Sequence, residues 1–340
     1  MTTGIPARPR AAVIAAAAIS ATALSSVAYQ EAAAARDRRR FPAPGRLVDI
    51  GGRRLHLLDA GEGSPAVVVV PAIGEGGLTW VRIQRELAAE LRVVLYDRAG
   101  TGWSDPPPRG RRTFGDVAAE LRSLLEYAGI VPPYVLVAHS LGGLIARRFA
   151  VRYPGTVAGL VLVDSSHEGQ ASRHGIDGWP YGRAQYYRRA LRWQARPLGL
   201  RRLAATAGLA RRLDADAARE VLPEHAAVYR AVLLSARLRR TVIRETLMMA
   251  RLSAPPRPLG SIPLTVITAG RPLPGWLPMQ QELAALSADS RHITAGGSGH
   301  AVHLDDPELV ADAIRDMVRR AAVQARTGGA LPAGNAPRGA

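Results

Sequence analysis

Short, continuous runs of apolar and mostly β-branched residues alternate with helical patterns along most of this chain, and that alternation constrains its fold more than anything else. Residues 66–70, 92–96, 134–138, 159–163, 263–268 and 290–294 are such runs, and most are separated by segments with helical periodicity such as 113–127 and 144–153. A strand that is apolar on both faces must be covered from both sides, and helices placed between successive strands do this. The predicted class is therefore α/β, a mostly parallel sheet flanked by helices. Residues 46–59, ahead of these runs, read as a hairpin turning at Gly51-Gly52.

The interval 166–257 breaks the rhythm. It has helical periodicity and no convincing strand, and we read it as a helical cap inserted over the end of the sheet, with the core formed by 41–165 and 258–322. The cap also carries much of the charge. Of a formal +17, the stretch 166–260 holds 18 Arg against 7 acidic residues. A balance this basic first suggests nucleic acid, but all 45 basic residues are Arg and no zinc-finger, RNP-type or helix-turn-helix signature accompanies them. The charge reads instead as a solvated or membrane-facing surface, and no nucleic-acid partner is expected. With no cysteine, disulfides, thiolate metal sites and a cysteine nucleophile are all excluded.

At the N-terminus an Ala-rich run, residues 11–28, contains no charged side chain and is flanked by Arg8 and Arg10 before it and by Arg36, Arg38, Arg39 and Arg40 after it. Its length suits a short membrane-spanning helix, and Ser26-Val27-Ala28 also offers a cleavage site. Residues 1–40 are thus expected to be a single-pass anchor or a signal segment leading to secretion. Residues 41–45, Phe-Pro-Ala-Pro-Gly, read as a stiff linker, and 323–340 as a disordered tail.

The most informative segment is the strand 134–138 followed by His139-Ser140-Leu141-Gly142-Gly143. A serine between Ala138 and Gly142 has small neighbours two positions away on each side, which permits a tight strand-to-helix turn exposing its hydroxyl. An ordinary serine N-cap gives the same pentapeptide. Three further segments decide between them: Val70-Pro71-Ala72-Ile73-Gly74 with Trp80 beyond it, Tyr96-Asp97-Arg98-Ala99-Gly100-Thr101-Gly102-Trp103-Ser104-Asp105, and Gly297-Ser298-Gly299-His300 ahead of the last helix. With these four in order, the chain resembles the α/β-hydrolase family, serine hydrolase branch, over residues 46–320.

The resemblance implies a nucleophile, Ser140, and a general base, His300, that takes its proton. It also implies an oxyanion hole made by the backbone N–H groups of Ile73 and Leu141. His139 is expected to line the pocket and His303 to pack or lie at the surface; Asp97, Arg98 and Asp105 are expected to be structural. The usual acid follows the strand at 263–268, yet residues 246–281 contain no Asp or Glu. Some relatives carry the acid one strand earlier, and Asp164 stands there. The expected triad is Ser140, Asp164 and His300.

No P-loop, dinucleotide fingerprint or His–carboxylate cluster with metal spacing is visible, so no cofactor is implied. The expected activity is hydrolysis of a carboxylic ester or related small acyl substrate through an acyl-enzyme, with a lipid-like substrate and membrane-surface contact as further expectations from the basic, aromatic cap (Trp179, Tyr181, Tyr186, Tyr187, Trp193). The alternatives are a non-catalytic ligand- or partner-binding protein of the same fold, or perhydrolase or carbon–carbon hydrolase chemistry from the same parts.

Overall fold

The computed structural model describes residues 7–326 except 174, 195–197, 210–214, 216–218 and 253. Eight strands form one sheet: β1 (Arg46–Asp49), β2 (Arg54–Ala60), β3 (Ala66–Val70), β4 (Val93–Tyr96), β5 (Tyr134–His139), β6 (Val157–Val163), β7 (Leu264–Ala269) and β8 (Ser290–Ala295), in the order 1-2-4-3-5-6-7-8. β2 runs antiparallel to both β1 and β4, and the pairings from β4 through β8 are parallel. The continuous apolar runs are continuous because both faces are buried. Val68, Val70, Leu136, Ala138, Leu160 and Leu162 pack on one side, while Val67, Val69, Val135, Val137, Val161 and Val163 pack on the other. This two-residue alternation of faces is what a strand dictates.

Helices follow in chain order: α1 (Ala7–Arg40), α2 (Val81–Leu87), α3 (Phe114–Tyr127) and α4 (Leu141–Arg152); then α5 (Arg183–Gln194), α6 (Leu198–Thr206), α7 (Ala226–Leu233) and α8 (Ala236–Ala250) between β6 and β7; then α9 (Trp276–Ala284), α10 (Val302–Asp305) and α11 (Pro307–Arg326). Thr113 caps α3 through a reciprocal capping box with Asp116. After β4 the chain crosses to the other side of β3, and β5 ends beside this reversal, where open α/β sheets form their clefts.

Two terminal features differ from the sequence expectation. Residues 323–326 continue α11 instead of opening a tail: the helix, seated by the buried Met317 and Ala321, propagates about one turn past its last buried residue on its own backbone hydrogen bonds; 327–340 lie outside the described residues. Helix α1 runs unbroken through the basic segment, and its second half packs on the cap. Gln30, 2% exposed, donates from its amide to the Leu234 carbonyl at 2.9 Å, and Asp37 pairs with Arg202. The apolar first half projects outward, leaving Val13, Ile14, Leu24 and Val27 exposed.

One buried cation ties the cap to the sheet. Arg98 donates to the carbonyls of Pro71 and Ala72, at 2.6 Å each, and to the Glu245 carboxylate of α8 at 2.8 and 3.2 Å. Asp97 beside it accepts from the backbone of Gly77 and Trp103 and contacts His56 at 2.9 Å. Removing one partner of a buried ion pair strands the other charge, at a cost of about 3–5 kcal/mol. Arg98→Met should therefore lose stability on that scale, read as a lower urea midpoint with an unchanged denaturant slope.

Candidate active site

Ser140 sits in the turn between β5 and α4 at φ 50°, ψ −120°, a conformation that L residues rarely adopt. The turn is held by its surroundings: Ser140 N–H donates to Val163 O at 3.1 Å, and Ser166 N–H donates to Ser140 O at 2.8 Å. Glycine is required just beyond. A Cβ on Gly142 would stand 2.0 Å from Val70 O, and one on Gly143 would stand 1.7 Å from Ser165 Oγ. Strands β3 and β6 therefore press on the first turn of α4 and force the serine hydroxyl outward.

Asp164 follows β6, also with positive φ (40°); it and Ser140 are the non-glycine residues with positive φ among the described residues. The Asp164 Oδ2 lies 2.6 Å from His300 Nδ1, and His300 Nε2 lies 3.0 Å from Ser140 Oγ. A neutral imidazole with its proton on Nδ1 satisfies both contacts, donating to the carboxylate and accepting from the hydroxyl. The other carboxylate oxygen, Oδ1, accepts from Trp276 Nε1 at 2.7 Å and from the Ala269 backbone at 3.0 Å. The segment after β7, which contains no acid, contributes hydrogen-bond donors to an acid from the neighbouring strand. Arg147 on α4 fixes that neighbouring segment, reaching Ser165 Oγ, Ser166 O and the buried Glu168 carboxylate.

These groups open on a cavity of about 950 Å³ that Ile73 and Leu141 also line. Leu141 begins α4, so its N–H is one of the four in a helix without an intrahelical acceptor. The Ile73 N–H carries no backbone hydrogen bond among the described residues. The Pro71 and Ala72 carbonyls just ahead of Ile73 are held by Arg98, and Gly74 N–H just after it approaches Glu245 at 3.4 Å, so the loop is fixed from both ends.

Behind His300 lies a cluster that reading along the sequence did not reveal. Glu75, His139 and His303 bring ligand-type atoms within 4.8 Å of one another, although they are separated by many residues in the chain. The geometry is that of an ion pair. His139 Nδ1 is 3.2 Å from Glu75, and Nε2 donates to the His300 carbonyl at 2.9 Å, so both ring nitrogens meet oxygen acceptors. Burial opposes a charge on His139, but the Glu75 carboxylate more than offsets this and raises its pKa; Glu75 is held correspondingly low. His139 thus grips the backbone of the residue proposed below as the base, a role the sequence reading limited to pocket lining. His303 is 2% exposed, stacks on Trp80 with centroids 4.3 Å apart, and has neither ring nitrogen hydrogen-bonded. Burial, reinforced by the His139 charge, lowers its pKa to about 3.

A parallel sheet with a serine, an aspartate and a histidine gathered at its strand ends is the architecture of one large class. The alpha/beta hydrolase fold family matches residues 65–244, more than half of the chain, and the chain belongs to that family. An AB hydrolase superfamily protein of Gibberella zeae is 40% identical over 92 residues, 26% of this chain and 29% of that protein. The putative carbamate hydrolase RutD of Klebsiella pneumoniae is 38% identical over 102 residues, 30% of this chain and 38% of that protein. Each match covers less than two-fifths of the relative's length. Among solved structures, a thermophilic esterase from Thermogutta terrifontis superposes with a TM-score of 0.61 over 82% of this chain and 99% of that one, at 24% identity. The enol-lactonase of Burkholderia xenovorans gives 0.62 over 81% and 100%, at 20% identity. These two likenesses establish the fold.

The buried His303 generates a pH prediction. Its folded pKa lies below the ordinary histidine value of 6.5, so between pH 6.5 and about 3 the unfolded chain binds a proton that the folded one refuses, and stability falls as the pH falls. His303→Phe keeps a ring against Trp80 and deletes the two unpartnered nitrogens. The variant should gain stability relative to the parent at pH 5 and less at pH 8, as measured by denaturant midpoints at the two values.

Proposed function

We propose that the protein is a serine hydrolase acting on a carboxylic ester or related acyl compound. The observation that carries this reading is the unbroken contact chain from Asp164 through His300 to Ser140 Oγ at the floor of the cavity. His300 Nε2 accepts the Ser140 proton as Oγ attacks the acyl carbon, and the carbonyl oxygen gains charge facing the N–H groups of Ile73 and Leu141. The tetrahedral species collapses by breaking the bond to the leaving oxygen, to which His300 returns the proton, so the alcohol departs and an acyl-Ser140 ester remains. Water then attacks this ester, giving its proton to His300. Collapse releases the carboxylic acid and restores the serine. Asp164 holds the imidazole in the required tautomer and stabilises its cation. Trp179, Met249, Leu273 and Trp276 supply apolar walls for the acyl or alcohol portion.

A fluorophosphonate probe should label the wild-type protein and leave Ser140→Ala unlabelled. Absence of labelling on folded wild type would favour the non-catalytic alternative. Asp164→Asn should lower turnover of a simple aryl ester by about 10³–10⁴-fold; wild-type turnover would remove Asp164 from the triad.

We further propose that α1 anchors the protein in a membrane. The helix contains, within Ala12–Arg40, a stretch apolar enough to cross a bilayer, and that stretch is not buried in the fold. Its second half is bound to the cap through Gln30 and Asp37, which gives the anchor a rigid attachment. The full chain should sediment with membranes and resist carbonate extraction, and deletion of residues 1–28 should release it. A purified N-terminus beginning after Ala28 would show instead that the segment is a cleaved signal.

A further inference from the structure

The charge distribution around the cavity goes beyond a generic acyl pocket. Helix α5 presents three different faces. Tyr186 and Ala190 are buried, the former accepting from Gln170 at 2.6 Å, while Tyr187 and Leu191 are exposed at 44% and 67%. The third face carries Gln185, Arg188, Arg189 and Arg192, at spacings i, i+3, i+4 and i+7, and these residues line the cavity. The three arginines are exposed along their length yet border the cavity, whereas the apolar Tyr187 and Leu191 are exposed and do not line it.

A fourth cation, Arg271, lines the cavity from the segment after β7. None of the four forms a salt bridge among the described residues. The acid whose charge Arg271 reaches, Asp305, is already engaged by Arg219 and by the Gly299 N–H. The acids that line the cavity are Glu75 and Asp164, and both are committed, Glu75 to His139 and Asp164 to His300 and Trp276. Among the described residues the rim is therefore positive without a salt-bridge partner, whereas the negative groups at the floor are each matched locally. Several guanidinium groups gathered at the mouth of one cavity, without a carboxylate partner among the described residues, recognise carboxylate or phosphate oxygens.

We propose that the substrate is an anionic acyl compound, carrying a carboxylate or phosphate several bonds away from the scissile carbonyl, with Arg188, Arg189, Arg192 and Arg271 receiving that charge. The inference rests on the serine-hydrolase reading of Ser140 and names the substrate class of that same site. The arginines act in binding and selection; the bond-making steps are unaltered.

The test uses the full-length protein and three 4-nitrophenyl esters of matched chain length: the mono-ester of adipic acid, its neutral terminal amide, and the cationic 6-aminohexanoate. The expected order of kcat/KM is anion, neutral, cation, with a preference of roughly tenfold or more for the anion over the amide at low ionic strength, shrinking as salt is added. In a triple Arg188→Gln, Arg189→Gln, Arg192→Gln variant the ratio should fall towards one, and the corresponding triple lysine variant should retain much of it. Labelling by the fluorophosphonate probe reports that each variant keeps a folded Ser140 site. If wild type is labelled and cleaves the neutral ester as well as the anionic one, the substrate inference is overturned while the hydrolase reading stands. It is overturned equally if anionic phospholipid vesicles accelerate all three esters to the same extent, since the arginines would then serve a membrane surface. If folded wild type is neither labelled nor active on any ester, the hydrolase reading fails and takes this inference with it.

Discussion

The strained turn at Ser140 is the constraint on which the rest of the site depends. A residue at φ 50° in the middle of a strand-to-helix junction persists only when its neighbours over-determine it. Here the neighbours are β3 and the segment that follows β6, the two strands that flank β5. β3 brings Val70 O against Gly142, and the segment after β6 brings Ser165 against Gly143 and clasps the Ser140 carbonyl through Ser166 N–H. The segment that forces the serine outward is also the segment that carries Asp164. Ser140 and Asp164 are thus positioned by one packing contact, and Arg147, which reaches from α4 to Ser165, Ser166 and Glu168, fastens that contact.

The same arrangement brings a carboxylate from the end of β6 to His300 Nδ1, because β6 and β7 end side by side in parallel register. A carboxylate from the end of β6 reaches the same point as one from the end of β7. The vacated strand end then supplies what such a carboxylate requires, a backbone donor from Ala269 and the indole N–H of Trp276.

The sheet was legible in the sequence because burial on both faces writes itself as an uninterrupted apolar run; β3 coincides with the run at 66–70 and β5 extends the run at 134–138 by one residue, His139. The Asp164–His300 contact was anticipated by a different route, the resemblance combined with the absence of any acid in 246–281. What remained hidden are pairings between positions far apart in the chain: Arg98 with Glu245, Glu75 with His139, His303 against Trp80, and Gln30 against the end of α7. Each involves a polar residue inside an otherwise ordinary local pattern, and nothing local states whether such a residue meets water or a partner. The helix boundary at 326 was hidden for a different reason, since residues 323–326 are mostly exposed and continue the helix only by propagating the turn that Met317 and Ala321 seat.

The hidden pairings also change how the cap relates to the chemistry. Glu245 belongs to the cap helix α8, yet its carboxylate holds the guanidinium that grips Pro71 O and Ala72 O, and it approaches Gly74 N–H directly. The loop bearing the Ile73 N–H is therefore braced by the same helix on which α5 packs, and α5 carries the arginines that border the cavity. Buried ion pairs resist displacement because separating them exposes an unpaired charge to a low dielectric. Any shift of the cap as a ligand meets α5 must therefore either leave α8 in place or carry the 71–74 loop along with it. The arginine-bearing rim and the 71–74 loop at the floor of the cavity are therefore mechanically linked through α8, so under the proposed function substrate selection and oxyanion stabilisation would share one support.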